Sequence, residues 1–341
     1  MINKSGINNI LIILPDLIGL TVMAQPAIKQ ITEFYSNKNI KLVGFHNVSE
    51  VLFDEEMPMP ALLNSNNAKE EIFSYLVSHG PFDIVFDFLS SRDTGEILNH
   101  IGIPVRLGRD YPDTDFYNMK VSSVLNDKCT VYDYLEFLPT AKIPYQFKTP
   151  ALVISEGTRQ RGLNWLRSHG MNKGKIVVMG VGGGNKRKQW PLFNYFNLKR
   201  QLEQDEDIDI LFVVGPKEEY LCKEIENSDA NAVIAFNLPL NILKGVISQA
   251  CCSICNDYAV MHISASIGVP TLAVFLSSDP VQWFPYASPS KYFIKDDIPC
   301  RPCYREDCQE WICNNALLFD DVVKEISNIG LSPARMNIFN N

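Results

Sequence analysis

Met179-Gly-Val-Gly-Gly-Gly-Asn185 is followed at once by Lys186, Arg187 and Lys188. Glycine permits tight turns and lets backbone N–H groups approach a ligand closely. Cations beside such amides suit a diphosphate. The run is neither a P-loop nor a dinucleotide fingerprint, because the required order of glycine, lysine and hydroxyl residues is missing. Gly183, Gly184 and Lys188 are candidate phosphate contacts; the alternative is an ordinary strand-to-helix loop with solvated charges. A second candidate runs from Asn256-Asp257-Tyr258-Ala259 through His262 to Pro270. Asp257 reads as the N-cap of a short helix ending near Gly268, and a helix N-terminus offers further amides to an anion. His262 within it reads by default as a core histidine on an apolar helix face.

Two other groups carry chemistry. Asp16 follows Leu14-Pro15 at the end of the first apolar run, where a carboxylate could take a proton from a hydroxyl nucleophile. The alternative is an N-cap for the next helix. Cys300, Cys303, Cys308 and Cys313 fall within 14 residues and open with a Cys-x2-Cys hairpin. Four thiolates at this spacing can close a tetrahedral shell around iron or zinc, in a loop spanning 299–314. The bland reading is four reduced thiols. Cys251, Cys252 and Cys255 lie in an apolar stretch and read as core.

These residues need strands and helices to position them. Apolar runs at Asn9–Leu14, Lys41–Phe45, Asp83–Phe88, Lys175–Gly180, Ile208–Val214, Asn231–Phe236, Cys252–Cys255 and Thr271–Phe275 predict strands. Helical stretches lie between them: Thr21–Phe34, Leu192–Leu202, Glu218–Ile225 and Asn241–Gln249. Pro26 is tolerable there only near a first turn. Strands apolar on both faces imply parallel sheets covered by helices. The alternation predicts two doubly wound α/β domains, broken near the prolines at 139, 144 and 150. The expected division is 1–150, 151–320 and a C-terminal helix or tail at 321–341.

With 31 basic and 39 acidic residues the formal charge is −8, which disfavours a nucleic-acid partner. Nine cysteines, an odd number in a chain of this size, fit a reducing compartment. No apolar run is long enough for a membrane helix. Residues 10–24 resemble a signal peptide superficially, but Pro15 and Asp16 interrupt them, so a cytoplasmic protein is expected.

Taken together, the residues resemble glycosyltransferase family 9, the heptosyltransferase family. The resemblance rests on Leu14–Lys29, Phe82–Asp87, Val105–Gly108, Lys188-Gln-Trp-Pro191, Val214-Gly-Pro-Lys-Glu218, Asn256–Pro270 and the Cys300-Arg-Pro-Cys303 hairpin, and spans about residues 8 to 315. It implies a GT-B architecture, with two Rossmann-like domains facing across a cleft. It implies an inverting transfer from a nucleotide sugar, commonly ADP-heptose, to a glycan, lipopolysaccharide core or protein Ser/Thr, with no divalent metal needed for transfer. Asp16 then matches the base and Lys188 the lysine at the donor diphosphate. Glu218 matches an acidic residue near the ribose, with Glu219 as close a candidate. Asp257, Tyr258, Ala259 and His262 match the nucleotide-sugar site. The four-cysteine loop is similar to that of bacterial autotransporter heptosyltransferases, whose metal is iron. The family usually has Gly where Pro15 stands and Ser/Thr-Gly where Tyr258-Ala259 stand. That narrows the phosphate cradle and leaves room for a donor other than ADP-heptose. Fold alone does not separate transfer from two alternatives, a GT-B-type nucleotide-sugar epimerase and a non-catalytic scaffold built on the metal loop.

Overall fold

The computed structural model describes residues 6–54, 57–110, 112, 114–123, 128–284, 290–295, 297–303, 308, 310, 312–316 and 322. The segment 321–341, expected as a helix or tail, lies outside the described residues apart from Val322. The chain divides into two compact units, Met1–Leu152 and Val153–Asn341.

The first unit is built on β1 (Asn9–Ile13), β2 (Asn39–Phe45), β3 (Ala61–Leu63), β4 (Ile84–Asp87), β5 (Val105–Gly108) and β6 (Met119–Lys120). All pair in parallel, in the order β3-β2-β1-β4-β5-β6. β1 and β4 are buried nearly throughout because helices cover both faces of the sheet. The helix after β1 spans Ile18–Phe34 and carries Pro26 in its interior rather than near its first turn. The proline is held there because ten of the helix residues, Pro26 among them, are buried, and packing outweighs one lost backbone bond.

The second unit repeats the plan. Its strands are β7 (Lys175–Gly180), β8 (Ile208–Val214), β9 (Val233–Phe236), β10 (Cys252–Asn256), β11 (Thr271–Phe275) and β12 (Lys291–Ile294). They form a parallel sheet ordered β12-β11-β10-β7-β8-β9. Counted within each unit, both sheets run 3-2-1-4-5-6, the doubly wound nucleotide-binding order. Cys252 and Cys255 are buried in β10, as a core reading requires, and Cys251 beside them is half-buried.

One helix crossing in this unit is unusually close. Helix Glu156–Ser168 meets helix Leu240–Ile247 with Gly162 against Gly245. A Cβ on Gly162 would overlap the Gly245 carbonyl carbon, and one on Gly245 would overlap the Thr158 carbonyl oxygen. The obstacles are backbone atoms, which cannot swing aside as a side chain does. Gly245→Ala should therefore destabilise the second unit by about 2 kcal/mol through overpacking, read as a lowered denaturation midpoint by circular dichroism.

Candidate functional site

β7 and β10 are neighbours, and the sequence order of the strands runs outward from them in both directions. Ligands of open α/β sheets sit beyond the carboxyl ends of strands at such a switch point. The glycine turn leaves β7 there, and Asn256-Asp257 ends β10 there.

Asn256 joins the two. It is fully buried; its Oδ1 accepts from the Trp190 N–H at 3.0 Å and the Tyr195 hydroxyl at 2.9 Å. Its Nδ2 donates to the carbonyls of Val181 at 2.9 Å and Gly182 at 3.0 Å. The amide's hydrogen-bonding capacity is thus met inside the fold. Asn256 stands at the head of the second sequence candidate but had no role assigned there, although a polar residue at the end of an apolar strand was a usable signal.

Glu218 sits behind the glycine turn and is 3% exposed. Its Oε1 accepts from the backbone N–H groups of Gly183 at 2.8 Å and Gly184 at 3.0 Å, and from Gln189 Nε2 at 2.7 Å. The amides expected to face a phosphate are therefore held by a carboxylate. Gln189, which had no role assigned from sequence, in turn accepts from the Tyr220 hydroxyl at 2.8 Å. Gly182 is required beside Glu218, because a Cβ there would overlap Oε2. Of the two acidic candidates, Glu218 is the one bonded to the turn; Glu219 begins the next helix, Glu219–Ser228.

Lys188 lies in the one-turn helix Lys186–Lys188 and pairs with Asp257 at 2.6 Å. Asp257 is buried and Lys188 half-buried, and the ammonium lies 5.4 Å from the centre of the Trp283 ring. Asp257 was expected to cap the following helix. The helix instead spans Ala259–Ser266 with Tyr258 at the N-cap position and no side-chain cap bond, because the Asp257 carboxylate is turned to the lysine. His262 is buried in that helix, and its Nδ1 has no hydrogen-bond partner among the described residues. Burial pushes its pKa down to about 4, with Asp257 opposing and Lys188 assisting. The ring is neutral at pH 7.

The thiols are close without forming a shell. Cys300 is exposed, Cys303 and Cys308 are half-buried and Cys313 is buried. Burial raises the Cys313 pKa, and the nearby charges of Cys300 and Cys308 raise it further. Among the described residues, no group of three or more His, Cys, Asp or Glu side chains is arranged to hold a metal ion. Residues 304–307, 309 and 311 of the loop lie outside the described residues.

In the first unit Asp16 is exposed just past β1, and the helix that follows has Leu17 at its N-cap position with no side-chain cap bond. Its carboxylate adds to the charges acting on buried Tyr134, opposite in effect to Arg109. Arg109 is itself paired to Asp133 at 2.9 Å and lies 5.1 Å from the centre of the Phe137 ring. Asp16 is thus a solvent-facing carboxylate at a strand end, not spent on a cap.

Sequence and structure comparisons decide among the readings. The family model of glycosyltransferase family 9 (heptosyltransferase) matches residues 77–312. The chain belongs to that family. Lipooligosaccharide heptosyltransferase 2 of Campylobacter jejuni subsp. jejuni serotype O:2 is 25% identical to it over 343 residues, covering 94% of this chain and 98% of that protein. Among solved structures, E. coli ADP-heptose lps heptosyltransferase II matches with a TM-score of 0.76 at 18% identity, over 96% of this chain and 99% of that one. TibC of enterotoxigenic E. coli, a dodecameric iron-containing heptosyltransferase solved with ADP-D-beta-D-heptose, matches with a TM-score of 0.59 at 11% identity, over 95% of this chain and 76% of that one. The protein is thus a heptosyltransferase-like glycosyltransferase of the GT-B fold class, and the epimerase and scaffold readings are not favoured. Among the described residues no helix is long and apolar enough to cross a membrane.

His262 yields a prediction. Its folded pKa of about 4 lies below the ordinary histidine value of 6.5, so between those pH values the unfolded chain binds the extra proton. Its contribution to stability is present above pH 6.5 and is lost as pH falls toward 4. Between pH 7 and pH 5 the protein should lose about 2 kcal/mol that His262→Gln does not lose, measured by chemical denaturation at the two pH values.

Proposed function

We propose that the enzyme transfers heptose from ADP-heptose, with inversion, to a hydroxyl of a lipopolysaccharide-core acceptor. The observation that carries this is Lys188, fixed by Asp257 at the β7–β10 switch point beside the glycine turn. A cation among oriented amides is what a departing diphosphate needs. The Campylobacter lipooligosaccharide heptosyltransferase and the E. coli ADP-heptose lps heptosyltransferase support the donor and acceptor class.

In this reading Asp16 takes the proton of the acceptor hydroxyl. The oxygen attacks the anomeric carbon on the face opposite the leaving group. The bond from that carbon to the diphosphate oxygen breaks, and its electron pair stays on the oxygen. Lys188 and the N-terminal amides of helix Ala259–Ser266, beginning at Ala259, meet the developing charge, so transfer needs no divalent ion; the Gly183 and Gly184 amides are held by Glu218 instead. The unpartnered Oε2 of Glu218 is available to a ribose hydroxyl. Asp257 holds Lys188 in place, and neutral His262 adds no competing positive charge. A nucleotide-sugar donor supports a cytoplasmic location.

Cys300, Cys303, Cys308 and Cys313 complete the reading as holders of one iron or zinc ion. The mutual effect of three of these thiols supports it, since a cation would relieve repulsion between neighbouring thiolates. The described geometry does not itself present that shell, and no chemical step uses the metal.

Two measurements test these roles. Asp16→Asn should keep ADP binding by calorimetry and lose roughly 10²- to 10⁴-fold in transfer rate. Turnover within about threefold of wild type would remove Asp16 from the mechanism. Elemental analysis of protein purified without added metal should give about one equivalent of iron or zinc, lost in Cys303→Ser. A fully active protein with less than about 0.2 equivalents would eliminate the four-thiolate site.

A further inference from the structure

Tyr258 has no task in the scheme above, yet its side chain occupies a distinctive place. The ring lies against two glycines. A Cβ on Gly184 would stand 2.9 Å from the ring's Cε2, and one on Gly215 would stand 3.5 Å from its Cε1. Gly184 belongs to the turn after β7, and Gly215 to the turn after β8, the neighbouring strand. The ring therefore bridges the ends of two adjacent strands at the edge where a donor would enter.

Glu218 lies near it, on the Gly215 side. The free oxygen, Oε2, would be 3.4 Å from a Cβ on Gly215, the same position that meets the ring. That oxygen is buried and has no hydrogen-bond partner among the described residues. Leaving a buried carboxylate oxygen unpaired is costly, and such a group marks a place where a partner arrives from outside. Oε1, by contrast, is fully engaged with the turn and Gln189. The carboxylate is thus fixed by one oxygen, with the other beside the tyrosine ring.

We infer that Tyr258 is the gate residue of the nucleoside-diphosphate site: its ring, seated on Gly184 and Gly215, covers Oε2 of Glu218, and a nucleoside diphosphate binds only after the ring swings out. This rests on the donor-site reading above. The closed seating competes with ligand, so the apparent affinity is reduced by the fraction of molecules that are open. The fit depends on the absence of a side chain at position 184, which makes ring and glycine a matched pair. Both the affinity and the rate of donor entry then depend on the bulk at position 258, while the phenol hydroxyl is dispensable for closure.

The test uses ADP as probe, with calorimetry for affinity and stopped-flow tryptophan fluorescence for entry, since Trp283 lies beside Lys188. Tyr258→Ala should bind ADP about tenfold more tightly and faster than wild type, whereas Tyr258→Phe, which keeps the ring, should match wild type. Tyr258→Ser serves the same purpose if the alanine variant does not fold, as judged by circular dichroism. Wild-type binding left unchanged or weakened in the small-residue variant would overturn the gate while leaving the donor site intact. So would a phenylalanine variant that behaves like alanine, because the hydroxyl rather than the ring would then be responsible. Absence of ADP binding in wild type and variants alike would overturn the donor-site reading and the gate with it.

Discussion

The buried amide of Asn256 is the fastening on which the second unit's chemistry hangs. A parallel sheet fixes its strands but leaves their outgoing turns free to wander. Here one side chain at the end of β10 grips two carbonyls of the turn after β7 and, with its other end, the chain at Trp190 and the helix at Tyr195. Lys188 lies between those two gripped segments in sequence, so its backbone has little freedom left. Replacing the amide by an apolar group would strand carbonyls and an N–H in a dry interior, each at a cost of about 1–3 kcal/mol. In the proposed transfer, preorganised charge helps only if it need not be reorganised during the reaction, and this clamp would supply that condition.

Charge in the same region is balanced internally. Lys188 has Asp257, and the amides of Gly183 and Gly184 have Glu218. Lys188 and the glycine-turn amides are thus already engaged by carboxylates. An unliganded site of bare cation and bare amides would attract any small anion, whereas one carrying its own carboxylates selects for ligands that make enough new contacts to compensate. His262, kept neutral by burial, adds nothing to this balance.

The fold was legible because central strands announce themselves. β7, β8 and β11 were readable to the residue, since each carries a run of four or five apolar residues, which has few other uses. The edge strands were harder. β3 and β6 have three and two residues, and β12 carries its charge in an edge position, so none shows the apolar run of a doubly covered strand. Helix Glu156–Ser168 was missed because only Thr158, Gly162 and Leu166 are buried, a four-residue spacing in which two members are not classical core residues. In the site, Lys188 and Asp257 were readable as separate candidates, but not their pairing. Sequence spacing of 69 residues contains no distance, and the cap expected of Asp257 was a local solution that a tertiary ion pair displaced. Glu218 was readable as an acid near the donor, yet its hold on the glycine amides depends on β7 and β8 being neighbours, which only topology supplies.

The two sheets share one strand order, and this makes corresponding positions comparable. After its first strand the second unit has a glycine turn with amides and cations; at the same place the first unit has Pro15 and Asp16. Proline offers no N–H, and the aspartate is negative. The same architectural position therefore carries cations in one unit and a carboxylate in the other. A nucleotide sugar is strongly polar, with its negative charge concentrated at one end. If such a donor is bound as proposed, the charges at the two switch points would sort it by sign before any shape is recognised. In that proposal, the polarity of substrate binding is written into which copy of a repeated topology kept its glycines.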